Sequence, residues 1–174
     1  MKIIILVIFT TLFCICLHAQ TLTMKDLKKI YSARLDDAET LILKKKFAYV
    51  KTEEPDSSNN FSTIITYGYG MNTLGGSSVQ KAVFLIRNNT GLKSVIYQTD
   101  NKDDYISIRN FCKKHRYKLT DTSSKNESIE YNYVNAIWHL KLENYIETGA
   151  SGNNEATYSI TITKNAADKG KRQK

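Results

Sequence analysis

The sequence predicts an α+β protein made of tandem helix-plus-antiparallel-meander units, with one sheet face covered by helices. Three observations lead there. Apolar residues recur at helical spacing in two separate stretches, about 24–46 and 104–115, and each stretch gives way to alternation with a period of two. Turn residues, Gly75-Gly76 and Asn88-Asn89-Thr90-Gly91, cut the alternating part into short strands, as a meander requires. At an offset of 68 residues the two stretches also match at five positions: Asp36/Asp104, Lys45/Lys113, Lys46/Lys114, Tyr49/Tyr117 and Thr52/Thr120.

The elements follow in order. Lys2 precedes an apolar run, Ile3 to Leu17, broken only by Thr10 and Thr11, and the stretch ends Leu17-His18-Ala19-Gln20. That layout predicts a secretory signal over 1–19, cut after Ala19, with Gln20 the alternative last residue. The run is shorter than the roughly 20 residues of a membrane-spanning helix, so no stable membrane insertion is expected after cleavage. A first helix-plus-sheet unit is expected over 20–98. Thr23 caps a helix that places Leu27, Ile30 and Tyr31 on one face. A second helix from Asp36 to Lys46 carries acids in its first turn and lysines in its last, matching the helix dipole. Strands are expected at 47–51, 61–71, 79–87 and 92–98, with Phe61, Thr63, Ile65, Tyr67, Tyr69 and Met71 sharing a face; 79–87 is apolar almost throughout.

A second unit is expected over 99–164. Residues 100–103 cap a helix to His115, with Ile108, Phe111 and Cys112 on its apolar side. A short strand at 117–120 leads into a polar loop, 121–128. The segment 129–145 changes phase, from odd-numbered Ile129, Tyr131 and Tyr133 to even-numbered Trp138, Leu140 and Leu142, which predicts a bulge or tight turn near Asn135. A flexible loop is expected at 147–155 and a last strand at 156–163. Residues 165–174 form a basic flexible tail.

Charge divides along the same lines. The chain is formally +8, but Lys2 leaves with the signal and the last ten residues hold a net +3, so the body carries only +4. Nucleic-acid binding is therefore not expected. Cys14 and Cys16 also fall in the signal, which leaves Cys112 as the one cysteine of the mature chain and excludes an intrachain disulfide there. Inside a helix it is expected as a small buried hydrophobe. Cys112 and His115 share a helix face, so a nucleophile pair is an alternative, though no orienting group accompanies them. Asp100, Asp103 and Asp104 are expected to cap the helix, since no calcium loop surrounds them. No zinc set and no phosphate loop is visible, so neither a catalytic residue nor a cofactor is expected.

Leu17-His18-Ala19-Gln20, together with Leu35-Asp36-Asp37-Ala38 leading into Lys45-Lys46-Phe47, resembles small, mostly uncharacterised exported proteins of Bacteroidetes-type bacteria. The tandem arrangement over 24–164 is similar in outline to beta-lactamase-inhibitor-protein-like folds. That resemblance implies a protein that binds other proteins; family members usually carry disulfides, which Cys112 alone cannot supply.

All eleven tyrosines lie in the mature chain. Tyrosine combines rigid apolar area with a polar tip and suits recognition surfaces. Tyr67, Tyr69, Tyr131, Tyr133 and Trp138 are the expected partner-binding residues. The expected function is a periplasmic or extracellular, non-enzymatic protein-binding module, an inhibitor, immunity or envelope accessory protein that covers a partner surface with its aromatic sheet or the loop 147–155. The alternatives are a small-ligand binder for carbohydrate or lipid and a Cys/His-dependent enzyme.

Overall fold

A computed structural model describes residues 21–56, 62–70, 80–125, 128–148 and 154–165. The expected signal segment with Cys14 and Cys16, Phe61, Met71, the expected Gly75-Gly76 turn and the expected tail beyond Asn165 lie outside the described residues. Helices α1 (Met24–Ser32) and α2 (Leu35–Lys44) precede strands β1 (Ala48–Glu53), β2 (Thr63–Tyr69), β3 (Lys81–Asn88) and β4 (Gly91–Thr99). Helix α3 (Lys102–Lys114) precedes β5 (Lys118–Lys125), β6 (Ser128–Val134), β7 (Trp138–Thr148) and β8 (Asn154–Lys164). All eight strands form one antiparallel sheet in the order β1-β2-β3-β4-β8-β7-β6-β5, and the helices pack on one of its faces. Among the described residues no helix is long and apolar enough to cross a membrane.

Local chemistry fixes the helix ends. The Thr23 hydroxyl accepts from the Asp26 amide at 3.2 Å, and the Asp26 carboxylate accepts from the Thr23 amide at 2.9 Å, a reciprocal capping box. Burial alone would raise the Asp26 carboxyl, but the Thr23 hydroxyl and amide and the Lys45 ammonium outweigh it and hold it below the usual aspartate range. Thr23→Ala is expected to cost about 1 kcal/mol, read as a lower urea midpoint at pH 7. Because the folded carboxyl is depressed, its contribution is complete above about pH 4 and is lost as pH falls through the lowered value. The penalty of Thr23→Ala should therefore shrink in acid.

Both helices that lead into a meander end alike. Lys46 and Arg116 follow α2 and α3 in the left-handed region, at φ 64° and 58°, and each hands the chain to a buried ring, Phe47 or Tyr117. The next strand then bulges, at Val50 in β1 and at Thr120 in β5. These landmarks stand 70 residues apart, not 68, so Tyr49 corresponds to Leu119 and Tyr117 to Phe47. Residue identity favours the offset of 68 through side chains such as Lys45/Lys113 and Tyr49/Tyr117, whereas the backbone is set by the left-handed residue and the ring behind it.

Strand pairing reaches into both expected loops. The polar stretch 121–128 belongs largely to β5 and the start of β6, and the ends of 147–155 extend β7 and β8, paired at Glu147↔Glu155 and Thr148↔Asn154; residues 149–153 lie outside the described residues. The phase change near Asn135 is a tight turn. The Asn135 carboxamide oxygen accepts from the amides of Ile137 and Trp138 at 2.9 and 2.8 Å, and its own amide donates to the Trp138 carbonyl.

The core lies between the helices and the sheet face carrying Ile65, Val83, Leu85, Val95, Tyr97, Leu140, Leu142, Ile160 and Ile162. One charged group is buried in it. Asp104, in the first turn of α3, accepts from Lys81 Nζ at 2.9 Å, Tyr97 Oη at 2.7 Å and Thr21 Oγ1 at 3.1 Å. Burial, and then the Asp104 carboxylate, push the Tyr97 phenol far up, so it stays a donor. The cluster ties α3 to β3, β4 and the segment ahead of α1. Asp104 is thus more than the helix cap expected from sequence; the Asn101 side chain supplies that cap.

Candidate functional site

Antiparallel pairing sends directly opposed residues to the same face, so the register identifies the face that the helices leave free. One row crosses all eight strands: Lys51, Thr66, Phe84, Ile96, Thr161, Lys141, Asn132 and Asp121. A flanking row runs Gly68, Ala82, Gln98, Ser159, Glu143, Glu130 and Ser123. On the other side lie Ile64, Ile86 and Ser94 over β2–β4, with His139 and Val134 over β7 and β6. The face is therefore divided: Ile64, Phe84, Ile86 and Ile96 make an apolar half, and the other half is polar.

The difference comes from two strand patterns. In β7, Leu140 and Leu142 point at the helices, while His139, Lys141 and Glu143 point away. That is the ordinary alternation of a sheet with one covered face. In β3, Val83 and Leu85 are fully buried beneath the helices, yet Phe84 and Ile86 on the opposite face are also apolar and only half-buried. Apolar side chains on both faces belong to a strand covered on both sides. No described helix supplies the second cover. Thr66 adds a hydroxyl on this face, with its Oγ1 buried and unpartnered.

The polar half is cross-linked. Glu130 and Glu143 stand directly opposite each other, an unfavourable pairing of like charges. Lys141 relieves it, at 2.8 Å from Glu143 and 3.6 Å from Glu130. The Asn132 amide donates to Glu130 at 2.6 Å, and its oxygen meets His139 Nε2 at 3.3 Å. The Asn132 hydrogen bond, with Lys141 behind it, outweighs burial and lowers the Glu130 carboxyl. Burial alone would lower the Lys141 ammonium, but the two glutamates raise it. Nearer the sheet centre Gln98 Nε2 donates to Tyr145 Oη at 2.9 Å.

The aromatic residues expected at a partner surface lie on the other face. Tyr67, Tyr133 and Trp138 are 2%, 3% and 8% exposed, beneath the helices. Tyr69 and Tyr131 are half-buried against the same core, and Arg109 covers the Tyr131 ring at 4.1 Å. Tyr31 meets Trp138 edge-to-face at 5.2 Å, and Tyr105 packs on Tyr158 at 5.1 Å. These five residues pack the helices onto the sheet and do not form an open platform. The signal for the free face was present in the nearly unbroken apolar run of β3.

The two members of the alternative reactive pair are each held in packing contacts. Cys112 is fully buried, and burial pushes its thiol up to about 11, which disfavours thiolate at neutral pH. His115 stacks on Phe111, with ring centroids 4.0 Å apart. Among the described residues no three His, Cys, Asp or Glu side chains gather as a metal site would require. Comparison with family models, curated proteins and solved structures returns no match to this chain.

Proposed function

We propose that this protein is an exported, non-enzymatic binding module that covers a surface of another protein with the helix-free face of its sheet. One observation carries the proposal: β3 presents Phe84 and Ile86 away from the helices, next to Ile64 and Ile96 on the neighbouring strands, where β7 and β6 present charge. Eight strands spaced about 4.8 Å apart and about 25 Å long give a face of roughly 800 Å². That is one partner's share of a standard protein–protein interface. The apolar half would supply the desolvated centre, and the Glu130–Lys141–Glu143 ladder one side of a polar rim. The proposal keeps the occluding role expected from sequence and moves it from the tyrosine face to the opposite one.

The test is recovery of partners from an envelope extract by the tagged mature chain, identified by mass spectrometry. Phe84→Thr and Ile96→Thr place threonine, a good strand former, in the strands and should weaken partner binding by at least about 30-fold, as loss of a 2 kcal/mol hot spot would. Tyr49→Ser, on an exposed edge-strand ring, should leave recovery unchanged. Full partner binding by a folded Phe84→Thr/Ile96→Thr chain would exclude this face.

A further inference from the structure

A second feature lies on the helix-bearing side, at the corner where α1 turns into α2 above the β3–β4 hairpin. A hollow of about 190 Å³ opens there, floored by Leu35, Ala38 and Leu92 and flanked by Arg34 and Arg87. Two arginines thus line one small space, Arg34 exposed and Arg87 half-buried, and among the described residues neither side chain forms an ion pair or a hydrogen bond. Arg87 shares the helix side with Val83 and Leu85 by alternation along β3, and a register shift that skips Lys93 in β4 brings Leu92 opposite it. Arg34 holds the N-cap position of α2 but makes no side-chain capping bond, since a guanidinium has no acceptor to offer the first-turn amides.

The acids of the first turn do not fill this role. Asp36 and Asp37 are exposed, and at 100° per residue they stand on the side of α2 opposite Leu35 and Ala38. The wall is open at the hairpin, where a Cβ built on Gly91 meets nothing within 4 Å. Like charges flanking a space with an apolar floor repel one another and favour a shared counter-ion. Guanidinium groups bind oxyanions through paired N–H donors.

We infer that the hollow between Arg34 and Arg87 is a binding site for a small organic oxyanion, a phosphomonoester or carboxylate on a short apolar stem. The two arginines hold the charged head, while Leu35, Ala38 and Leu92 cover the first carbons of the stem. About 190 Å³ holds about six water volumes of 30 Å³ each, enough for a head group and a few carbons. The site lies on the opposite side of the sheet from Phe84 and is independent of the binding face proposed above.

The test is an amide-resolved NMR titration of the full mature chain with butyl phosphate and with inorganic phosphate, against chloride at matched ionic strength. The expected result is saturable shifts at Leu35, Gly91 and Leu92, tighter for butyl phosphate. R34Q and R87Q should each weaken binding at least about tenfold, as loss of a charge-assisted hydrogen bond does, and the double variant should abolish it. R34K/R87K, which keeps the charge, should retain partial binding and serves as the folded control. Sedimentation with vesicles containing phosphatidic acid, whose head group is a phosphomonoester, locates the source of the head group: arginine-dependent co-sedimentation assigns it to lipid, and butyl phosphate binding without co-sedimentation assigns it to a soluble molecule. Shifts equal to those in chloride, or shifts that persist in R34Q/R87Q, overturn the site.

Discussion

Alanine in place of Asp104 is expected to destabilise the protein by about 3–5 kcal/mol, the usual penalty for removing one member of a buried ion pair. The loss is large because it strands a cation. Lys81 is only 11% exposed at its side chain and has its carboxylate partner at 2.9 Å. Its remaining neighbour, Thr21 Oγ1, lies at 3.5 Å and carries no charge. Tyr97 and Thr21 lose an acceptor at the same time. At 2–4 °C per kcal/mol for a chain of this size, the melting temperature should fall by roughly 10 °C, measured by circular dichroism. The double replacement Lys81→Met/Asp104→Leu should recover most of that loss, because it removes the stranded charge together with its partner. A loss below about 1 kcal/mol for Asp104→Ala would mean that water reaches the pair.

The second large effect concerns Tyr67. Tyr67→Ser is expected to cost about 3–5 kcal/mol, the range for truncating a large buried ring, seen as a lower urea midpoint with the slope unchanged. The ring is 2% exposed and lies 6.1 Å from Tyr49 in an edge-to-face pair. Burial raises its phenol above the usual range, with Glu39 adding to the shift, so the hydroxyl stays protonated. The effect therefore belongs to stability: under conditions where the variant remains folded, partner binding through the opposite face should be unchanged. A folded Tyr67→Ser chain that loses its partner while keeping its midpoint would restore the tyrosine face as the binding surface.

The strand character of β2 was legible because Thr63, Ile65, Tyr67 and Tyr69 alternate with a period of two. Alternation says which residues share a face, but the choice of face to cover belongs to the helices, whose apolar stripes meet Tyr97, Tyr158 and Trp138 across long sequence separations. The helix caps were legible because Thr23 and Asp26 act within one turn. The Asp104–Lys81 pair was not, because its partners lie 23 residues apart on different elements, and its acid stood among others that suit a cap. The start of β5 was legible as a short strand at 117–120, but its continuation Asp121-Thr122-Ser123-Ser124 reads as loop, since an edge strand with exposed side chains leaves no apolar alternation. Its regularity is imposed by pairing with β6. The free-face patch was half-legible: the apolar run of β3 was visible, while the packing of the described helices on the face opposite Phe84 is a property of the layers.

The strand order sets the sequence in which the molecule can be completed. β8 is the last of the described strands along the chain, yet it sits between β4 and β7 near the middle of the sheet. Until it emerges, β4 and β7 each present a bare hydrogen-bonding edge, and the fully buried Val95, Tyr97, Leu140 and Leu142 lack their shared neighbours Ile160 and Ile162. A growing chain therefore cannot close its sheet early, and any truncation ahead of Asn154 leaves two halves with sticky inner edges. The keystone arrives last, so a finished sheet certifies that the chain was made through to β8.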